Sequence, residues 1–309
     1  MYNFNHLYYF YVTAKSGSVM SASKHLRISQ PSLSSQLKTL ERALDIKLFH
    51  KVGRANQLTQ AGAVIYGFCR QMFEISEEMS EVILQRLPTV TRRIHIGVSD
   101  EVERSFVVEV VSHFLRKHSL ALRPRVTIVA GTENQLVERL KFRELDVIIT
   151  ELAMKDPELM NLSRAEAPVV LVCSKTWKFQ SKGRGKNSSI AIKDIISGNA
   201  NQWVMPSNKF KLRAEINHFF EANELKGRVV IESDMMASLV RSVIDGIGLA
   251  FFPLIYIPKD LRKKFLRILG PKNGYWKYRV WLVCNHQSHG DPFIQSFAQS
   301  FKEVSDDSL

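Results

Sequence analysis

The N-terminal part of the chain, through Leu44, repeats apolar positions at the spacing of short amphipathic helices. The first stripe ends at Ser16-Gly17, and Ser18 then caps a second helix that we predict to run through Leu26. Ser29 caps a third helix, which accepts Pro31 because a residue in the first turn needs no N–H. The inward stripes comprise Leu7, Phe10, Tyr11 and Ala14 in the first helix and Leu33, Leu37, Leu40 and Leu44 in the third. The pattern therefore predicts a small three-helix head.

The third predicted helix turns a polar face away from its leucines. That face consists of Gln30, Pro31, Ser32, Ser34, Ser35 and Lys38. Small polar groups at the N-terminal end of a helix can reach base edges and phosphates in the major groove. Residues 48–59 then fit two short strands around a Gly53-Arg54 turn, a wing in which Lys51 and Arg54 are candidates for contacts with phosphates or a minor groove. Each side chain alone is better explained as ordinary surface, but together they predict a winged helix-turn-helix that binds double-stranded DNA.

A single long helix is predicted to follow, from a cap at Thr59 to Leu87, where Pro88 stops it. Its apolar residues alternate in steps of four and three, at Ala61, Ile65, Phe68, Met72, Ile75, Met79 and Val82. Such a repeat is typical of a helix that pairs with another helix, although packing against its own domain is the alternative. A helix of about 27 residues spans about 40 Å, which is longer than the head can cover. We therefore expect a homodimer that binds an interrupted palindrome.

From Arg93 onward, strand-like and helix-like segments alternate in the manner of an α/β fold with a mostly parallel sheet. The end of this region is predicted to pair with its beginning around an inserted unit, which makes two lobes. The predicted domains are a head at 1–60, a linker helix at 61–88 and an effector domain at 92–309, with lobe I at about 92–163 and 266–309 and lobe II at about 164–265.

Ligands of open α/β sheets bind beyond the carboxyl ends of the strands. The candidate effector-binding residues at those positions are Ser99, Asp100, Gly131, Thr132, Glu151, Pro206, Ser207, Gly248 and Phe252. Each alone is better explained as a cap or turn residue, so the argument for a site rests on their shared location. Because Asp100 and Glu151 are acidic, we expect the site to disfavour anions and to accept a cationic or neutral effector.

Positive charge is concentrated in the head. The 309-residue chain has a formal net charge of +13, and residues 1–60 hold eight Lys or Arg against two acidic residues. This excess favours a polyanionic partner, because each neutralised phosphate releases counterions. The N-terminus has no signal-peptide pattern, and charged residues and glycines interrupt the most apolar window, 239–258. We expect a cytoplasmic protein that does not enter a membrane.

The three cysteines, Cys69, Cys173 and Cys284, are far apart and show no metal or disulfide spacing. We interpret them as buried thiols and expect neither a metal nor a cofactor. Redox sensing through Cys173 and Cys284 is the less favoured alternative.

The motifs of the first 62 residues resemble the DNA-binding signature of LysR-type transcriptional regulators. The matching positions are Ser18, Ala22, Leu26, Ser29 to Ser34, Gln36, Leu40-Glu41, Leu48-Phe49, Arg54, Leu58-Thr59 and Ala61-Gly62. The C-terminal region, with its glycine turn from Gly246 to Pro253, resembles the effector domain of the family, which is similar to periplasmic binding proteins. The resemblance implies that Gln30, Pro31, Ser34 and Ser35 face bases. It also implies that Ser32, Ser34, Lys38 and the wing hold phosphates.

By the same resemblance, the dimers are expected to pair into homotetramers, with RNA polymerase as a further partner. Two departures from the family pattern are Ser35, where the family often has Arg, and Asp45, where it often has Gly. The first removes a guanine-reading fork, so the target sequence cannot be taken from relatives. The stretches Asn5 to Phe10, Gly97 to Asp100 and Leu136 to Thr150 resemble a branch of the family that regulates ion or pH homeostasis genes.

Other classes of protein fit the sequence less well. The chain lacks GxxxxGK[ST], HExxH and GxSxG, and Gly246-x-Gly248 is missing the third glycine of a dinucleotide fingerprint. We therefore do not expect an enzyme. A cytosolic solute-binding sensor without operator specificity is the main alternative, and the winged N-terminal module argues against it.

Overall fold

The computed structural model describes residues 2–52, 55–85, 92–119, 123–177 and 202–307. The chain forms two compact units. The first consists of Met1–Ile96, His118–Thr127 and Asn134–Asp146, and the second of Gly97–Lys117, Ile128–Glu133 and Val147–Leu309.

Three helices open the first unit: α1 at Phe4–Ser16, α2 at Val19–Leu26 and α3 at Gln30–Leu44. The expected caps are present, since the side chains of Ser18 and Ser29 accept hydrogen bonds from the backbone N–H groups of Ser21 and Ser32. The buried core of this head consists of Phe10, Tyr11, Val12, Ala22, Leu33, Leu37, Leu40, Leu48 and Cys69. The leucine stripe of α3 therefore faces inward, and Leu44 at its end is half-buried.

Helix α3 ends at Asp45, whose backbone is left-handed with φ 54°. Its N–H caps the helix by donating to the carbonyl oxygens of Glu41 and Arg42. The left-handed region strains most residues that carry a Cβ, while glycine and, to a lesser degree, Asn and Asp adopt it. This geometry explains how Asp can occupy a position where the family often has Gly.

The wing and the long helix follow the head helices. Strands β1 (Phe49–Val52) and β2 (Ala55–Leu58) are antiparallel. Helix α4 extends over Gln60–Gln85. The Thr59 hydroxyl accepts from the N–H of Gly62 at 2.9 Å and donates to the Lys47 carbonyl at 2.6 Å, so it caps α4 and fastens it to the start of the wing. The predicted end of this helix at Leu87 lies outside the described residues.

The remaining elements alternate between strands and helices, as the sequence pattern predicts. In chain order they are β3 (Arg93–Ser99), α5 (Arg104–Arg116), β4 (Arg125–Gly131), α6 (Glu133–Lys141), β5 (Val147–Thr150), β6 (Leu159–Ser174), β7 (Gln202–Pro206), α7 (Lys211–Ala222), β8 (Arg228–Ser233), α8 (Met236–Ile244), β9 (Ala250–Pro253), α9 (Lys259–Phe265), β10 (Leu266–Leu269), β11 (Trp276–Asn285) and α10 (Pro292–Asp307).

A buried ionic junction in the first unit ties α4 to the start of β3 and to the turn after α6. Arg70 donates to the Arg143 carbonyl oxygen from Nε at 3.1 Å and from Nη2 at 2.6 Å. The same guanidinium lies 2.9 Å from the Glu74 carboxylate and 3.3 Å from that of Asp146. Asp146 accepts the backbone N–H of His95 at 2.7 Å, and His95 Nδ1 lies 2.7 Å from Arg70 Nη1. These five residues form the Arg70 junction.

The second unit is built on a sheet in which β6, at 16 residues, is a long central strand. The order is β10-β6-β11-β5, followed by the last residues of β3 and β4, and β9 also pairs with β6. Strand β6 is antiparallel to β9, β10 and β11, and β11 is antiparallel to β5. The expectation of a mostly parallel sheet is wrong for these strands. Strand β11 returns antiparallel to residues 159–169 of β6, and β9 and β10 run antiparallel to the later residues of β6. Strands β7 and β8 do form a parallel pair.

The three cysteines are free and buried, as the sequence predicts. Burial raises the pKa of Cys69, Cys173 and Cys284 to about 11. Because the thiolate is the reactive form, this environment disfavours redox sensing.

Over the described ranges, no helix is both long enough and apolar enough to cross a membrane. The described part of the chain also holds no group of three or more His, Cys, Asp or Glu side chains placed to bind a metal ion.

Candidate DNA interface and effector site

The polar face of α3 lies on the surface of the head. Gln30, Pro31, Ser32, Ser35 and Lys38 are exposed, and Ser34 is half-buried. The opposite face is fixed by Leu33, Leu37 and Leu40, which are buried in the core of the head. The helix therefore presents its N-terminal polar residues outward in one defined orientation.

Glu41 fixes the base of the wing to α3. Its carboxylate accepts the backbone N–H of Leu48 at 2.9 Å, the N–H of Phe49 at 3.4 Å and the ammonium of Lys47 at 2.9 Å. Burial alone would raise the pKa of Glu41, but these hydrogen bonds outweigh it and hold the pKa below its ordinary value. Lys51 is exposed on β1. Arg54, predicted at the tip of the wing, lies outside the described residues.

The basic side chains of the described head are all exposed, which leaves them available to phosphates. They are Lys15, Lys24, Arg27, Lys38, Arg42, Lys47 and Lys51. Of these, Lys47 is paired with Glu41, and Lys15 donates to the Tyr11 hydroxyl at 3.1 Å.

The residues predicted to pair two α4 helices differ in their surroundings. Ile65 packs against the core of its own head. Phe68, Ile75 and Met79 are 49%, 65% and 55% exposed, and Met72 is half-buried. The side chain of Val82 is outside what the structure describes, and the neighbouring Ile83 is 66% exposed. An exposed apolar stripe thus begins at Phe68 and continues toward the C-terminal end of the helix.

Two of the predicted effector residues, Ser99 and Glu151, meet at the ends of β3 and β5 inside the second unit. The Ser99 hydroxyl donates to Glu151 Oε2 at 2.9 Å, and both side chains are buried. The Tyr256 hydroxyl lies 3.4 Å from the other Glu151 oxygen. Nearby, the backbone N–H of Asp100 donates to the Gly131 carbonyl at 3.0 Å. The structure therefore brings four of the residues that were predicted from their position at strand ends into one region: Ser99, Asp100, Gly131 and Glu151.

The other predicted effector residues have varied positions. Thr132 is exposed beside Gly131, and Asp100 is exposed and paired with Arg104 at 3.3 Å. Ser207 precedes α7, and its buried hydroxyl oxygen has no hydrogen-bond partner among the described residues. Pro206, Gly248 and Phe252 are buried. Gly248 lies so close to the Gln202 carbonyl that a Cβ would be 2.8 Å from that oxygen, which explains the glycine.

Sequence reasoning missed several residues that surround Glu151. Lys211, the first residue of α7, donates its backbone N–H to Glu101 at 2.6 Å and its ammonium to the Glu151 carbonyl at 3.1 Å. Its ammonium also lies 3.9 Å from Glu215. The charges of Glu101 and Lys211 also act on the pKa of Glu133, the first raising it and the second lowering it. We refer to these four residues around Lys211, namely Glu101, Glu133, Glu151 and Glu215, as the inner carboxylate cluster.

Aromatic residues of β11 border this cluster. Trp276 donates its indole N–H to Glu215 at 2.8 Å. The Tyr278 ring lies 5.4 Å from the Lys211 ammonium and 5.7 Å from the Tyr256 ring. Two sequence signals could have pointed here: the Lys211/Glu215 spacing of four at the start of a helix, and the alternation of Trp276 and Tyr278 on one face of a strand.

Three carboxylates of the cluster, those of Glu133, Glu151 and Glu215, are in an environment that disfavours their charged form. Burial, followed by the negative charge of Glu101, raises the pKa of Glu151 to about 7. Burial likewise raises the pKa of Glu133 and of Glu215. A nearby positive charge would stabilise the ionised carboxylates.

A winged helix-turn-helix with an exposed basic surface, joined to an α/β domain with a buried polar cluster, defines a DNA-binding regulator with a ligand-sensing domain. The sequence family "Bacterial regulatory helix-turn-helix protein, lysR family" matches residues 4–63, and "LysR substrate binding domain" matches residues 89–306. The chain belongs to the LysR family of transcriptional regulators. The fold class predicted from the sequence, a winged helix-turn-helix with a linker helix and a periplasmic-binding-protein-like α/β domain, is confirmed.

Similar proteins are regulators rather than enzymes. "Transcriptional activator protein NhaR" of Escherichia coli is 30% identical over 150 residues, so the match spans about half of either chain, 48% of each. "HTH-type transcriptional activator AaeR" of the same organism is 25% identical over 256 residues, which cover 83% of this chain and 79% of AaeR. The solved structure of a full-length OxyR variant from Pseudomonas aeruginosa has 14% identity and a TM-score of 0.61, and covers 98% of this chain and 95% of that one.

Proposed function

We propose that this regulator binds duplex DNA through the polar face of α3 and the wing. Bases are read by Gln30, Pro31, Ser34 and Ser35, while phosphates are held by Ser32, Ser34, Lys38, Lys51 and Arg54. One observation carries the proposal: the N-terminal polar residues of α3 are exposed and lie among exposed basic side chains, while the leucines of the same helix fix its orientation. Such a helix end can enter a major groove with its dipole favouring phosphates.

The proposal is tested by the affinity of the purified protein for the DNA upstream of its own gene. We expect affinity to fall steeply between about 50 and 200 mM salt. The double variant Gln30→Ala/Ser34→Ala should lose at least about tenfold of its preference for the target over random duplex, because each lost base contact is worth about 1–3 kcal/mol. The Lys38→Ala variant should weaken binding to both duplexes equally and reduce the salt slope by about 1.

Asn134→Ala is the matched control, because Asn134 is an exposed polar residue in the first turn of another helix, α6. It should leave both affinities unchanged. A Gln30→Ala/Ser34→Ala protein with full site preference would show that another face of the head reads the bases.

We propose that two α4 helices pair along Phe68, Ile75 and Met79, and that the contact extends to Met72 and Val82 as the sequence repeat indicates. Ile65, the other residue of the repeat, packs on its own head instead. Large exposed apolar side chains on one helix face favour association with a second helix. The double variant Ile75→Glu/Met79→Glu should convert the dimer to a monomer, measured as molar mass by light scattering. Ser76→Glu/Ser80→Glu adds the same two charges at exposed residues beside the stripe and should leave the mass unchanged. A dimer that survives the double substitution would refute this contact.

We further propose a homotetramer of paired dimers in the cytoplasm that recruits RNA polymerase and activates genes of ion or pH homeostasis when an effector binds. The support is the activator function named for NhaR and AaeR. The mass measurement separates dimer from tetramer. Transcription in vitro from the bound promoter separates activation from repression, and mapping of bound sites across the genome tests the class of gene.

A further inference from the structure

Helix α9 and the strand β10 that follows it carry an excess of positive charge. Between positions 259 and 267 the chain has five basic residues and one acidic residue, Asp260. The basic residues are Lys259, Arg262, Lys263, Lys264 and Arg267. Lys259 is neutralised by Asp307, whose carboxylate lies 2.6 Å from its ammonium. This short stretch therefore keeps a positive charge after its own ion pair is counted.

Lys175, the residue after β6, adds its charge to the same surface. Its backbone N–H donates to the Phe265 carbonyl at 2.8 Å, and its ammonium donates to the Lys263 carbonyl. Arg267 in turn donates to the Lys175 carbonyl at 3.2 Å. The side chains of Lys175, Lys263, Lys264 and Arg267 are exposed. We call these four residues and Arg262 the basic face.

Arg262 is an independent sign that this surface binds an anion. Its side chain is half-buried, yet its guanidinium forms no hydrogen bond or ion pair with the described residues. Burial lowers the pKa of Arg262, and no carboxylate of the described chain acts to raise it again. Partial removal of a cation from water without a counter-charge costs free energy. An anion bound at the basic face would offset that cost.

The composition of the basic face fits a phosphate backbone better than a protein surface. Ile268 is the one large apolar side chain that is exposed between positions 259 and 269, at 40%. Interfaces between proteins have a desolvated centre with aromatic or other large anchors, whereas phosphates are held by exposed Lys and Arg. The chain belongs to a family of DNA-binding regulators, so duplex DNA is a polyanion that it meets.

We propose that the basic face binds the phosphate backbone of the duplex that flanks the target site, as a second DNA contact outside the head. Contacts to phosphates add affinity and salt dependence but carry no sequence preference. The proposal rests on DNA binding by the head, because a duplex held there presents its flanks at a high effective concentration.

The test compares the affinity of the full-length protein for two duplexes. The short duplex holds only the target upstream of the gene, and the long duplex has random sequence added on both sides. We expect the unchanged protein to bind the long duplex more tightly and with a steeper salt dependence. Lys263→Ala/Lys264→Ala should weaken binding to the long duplex by at least about threefold and reduce its salt slope by about 2, since each phosphate contact contributes about 0.9. Binding to the short duplex should not change.

Lys209→Ala/Lys226→Ala is the matched control, because it removes two exposed lysines from the segments that precede and follow α7. It should leave both affinities and both salt slopes unchanged. The melting temperature of either double variant should stay within about 2 °C of the unchanged protein, since exposed lysines contribute little to stability.

Three outcomes would overturn the proposal. They are equal binding of the two duplexes by the unchanged protein, an equal loss in the control variant, and an unaltered affinity of Lys263→Ala/Lys264→Ala for the long duplex. If that unaltered affinity came with weaker transcription by RNA polymerase, the basic face would bind an acidic protein instead.

Failure of this inference is distinct from failure of the proposed function. If the short duplex is bound with salt sensitivity while added flanks have no effect, the second contact alone is wrong. If neither duplex is bound, DNA binding by the head is wrong as well.

Discussion

Replacing Arg70 with methionine is expected to lower the free energy of unfolding by about 3–5 kcal/mol, because it leaves the Glu74 and Asp146 carboxylates, which are 15% and 21% exposed, without their counter-charge. The Arg70 side chain is 7% exposed, and its guanidinium bonds Glu74, Asp146 and the Arg143 carbonyl together. Methionine keeps much of the volume but none of these hydrogen bonds. Urea unfolding followed by far-UV circular dichroism measures the change.

The same substitution should move acid unfolding to higher pH. Burial alone would raise the pKa of Asp146, but the His95 hydrogen bonds and the Arg70 charge outweigh it and hold the pKa below the ordinary value of 3.8. A carboxyl with a lowered folded-state pKa contributes stability above its unfolded pKa and loses that contribution as the pH falls through the folded value. Without Arg70 the folded pKa rises, so this contribution is lost at a less acidic pH.

Arg116→Met is the control, because Arg116 is exposed at the end of α5. It should change stability by less than about 0.5 kcal/mol. If Arg70→Met were as stable as the control, the junction would contribute nothing to the attachment of α4 to β3 and the turn after α6.

Substituting Gly62 with alanine should destabilise the head by about 1–3 kcal/mol and weaken DNA binding. A Cβ at position 62 would overlap the carbonyl oxygen of Leu48, which is backbone and cannot rotate away. Helix α4 must then move from the start of the wing, and the bonds of Thr59 to Lys47 and Gly62 stretch. The wing carries Lys51, so the displacement reaches the DNA-binding surface. Thermal unfolding and the affinity for the upstream DNA measure the two effects.

Gly290→Ala is a matched control, since nothing lies within 4 Å of a Cβ built at that position. It should leave both the melting temperature and the DNA affinity near those of the unchanged protein. Equal behaviour of the two variants would mean that α4 and the wing are packed less closely than the structure shows.

Much of the head could be predicted from the sequence, because its signals are local. Ser18 and Ser29 cap the helices that follow them, and the leucine spacing of α3 defines its buried face. The repeat along α4 predicted one apolar stripe, but in the structure the residues of that stripe lie in two different environments. Its beginning, with Ile65, packs on the head, and Ile75 and Met79 remain exposed.

The effector domain was less predictable, because its key contacts join distant parts of the chain. The expectation that ligands bind beyond the carboxyl ends of strands pointed to Ser99 and Glu151, which are 52 positions apart in the sequence and form a hydrogen bond. It gave no indication of Lys211 or Tyr278, which reach the same place from a helix and from a returning antiparallel strand. The neighbour of that strand cannot be deduced from its hydrophobic alternation, which shows which face of the strand is buried and not which other strand lies beside it.

The sequence by itself determined the winged head, the long helix, the α/β class and the LysR family, since caps, periodicity and motifs depend on neighbouring residues. The tertiary structure decided which charges become partners. Only the packing of α4 on the turn after α6 makes Arg70 a buried junction. Only the return of β11 beside β6 brings the Tyr278 ring to the Lys211 ammonium and the Tyr256 ring. Charges interact over space rather than along the chain, so their environment is defined once distant segments have folded together.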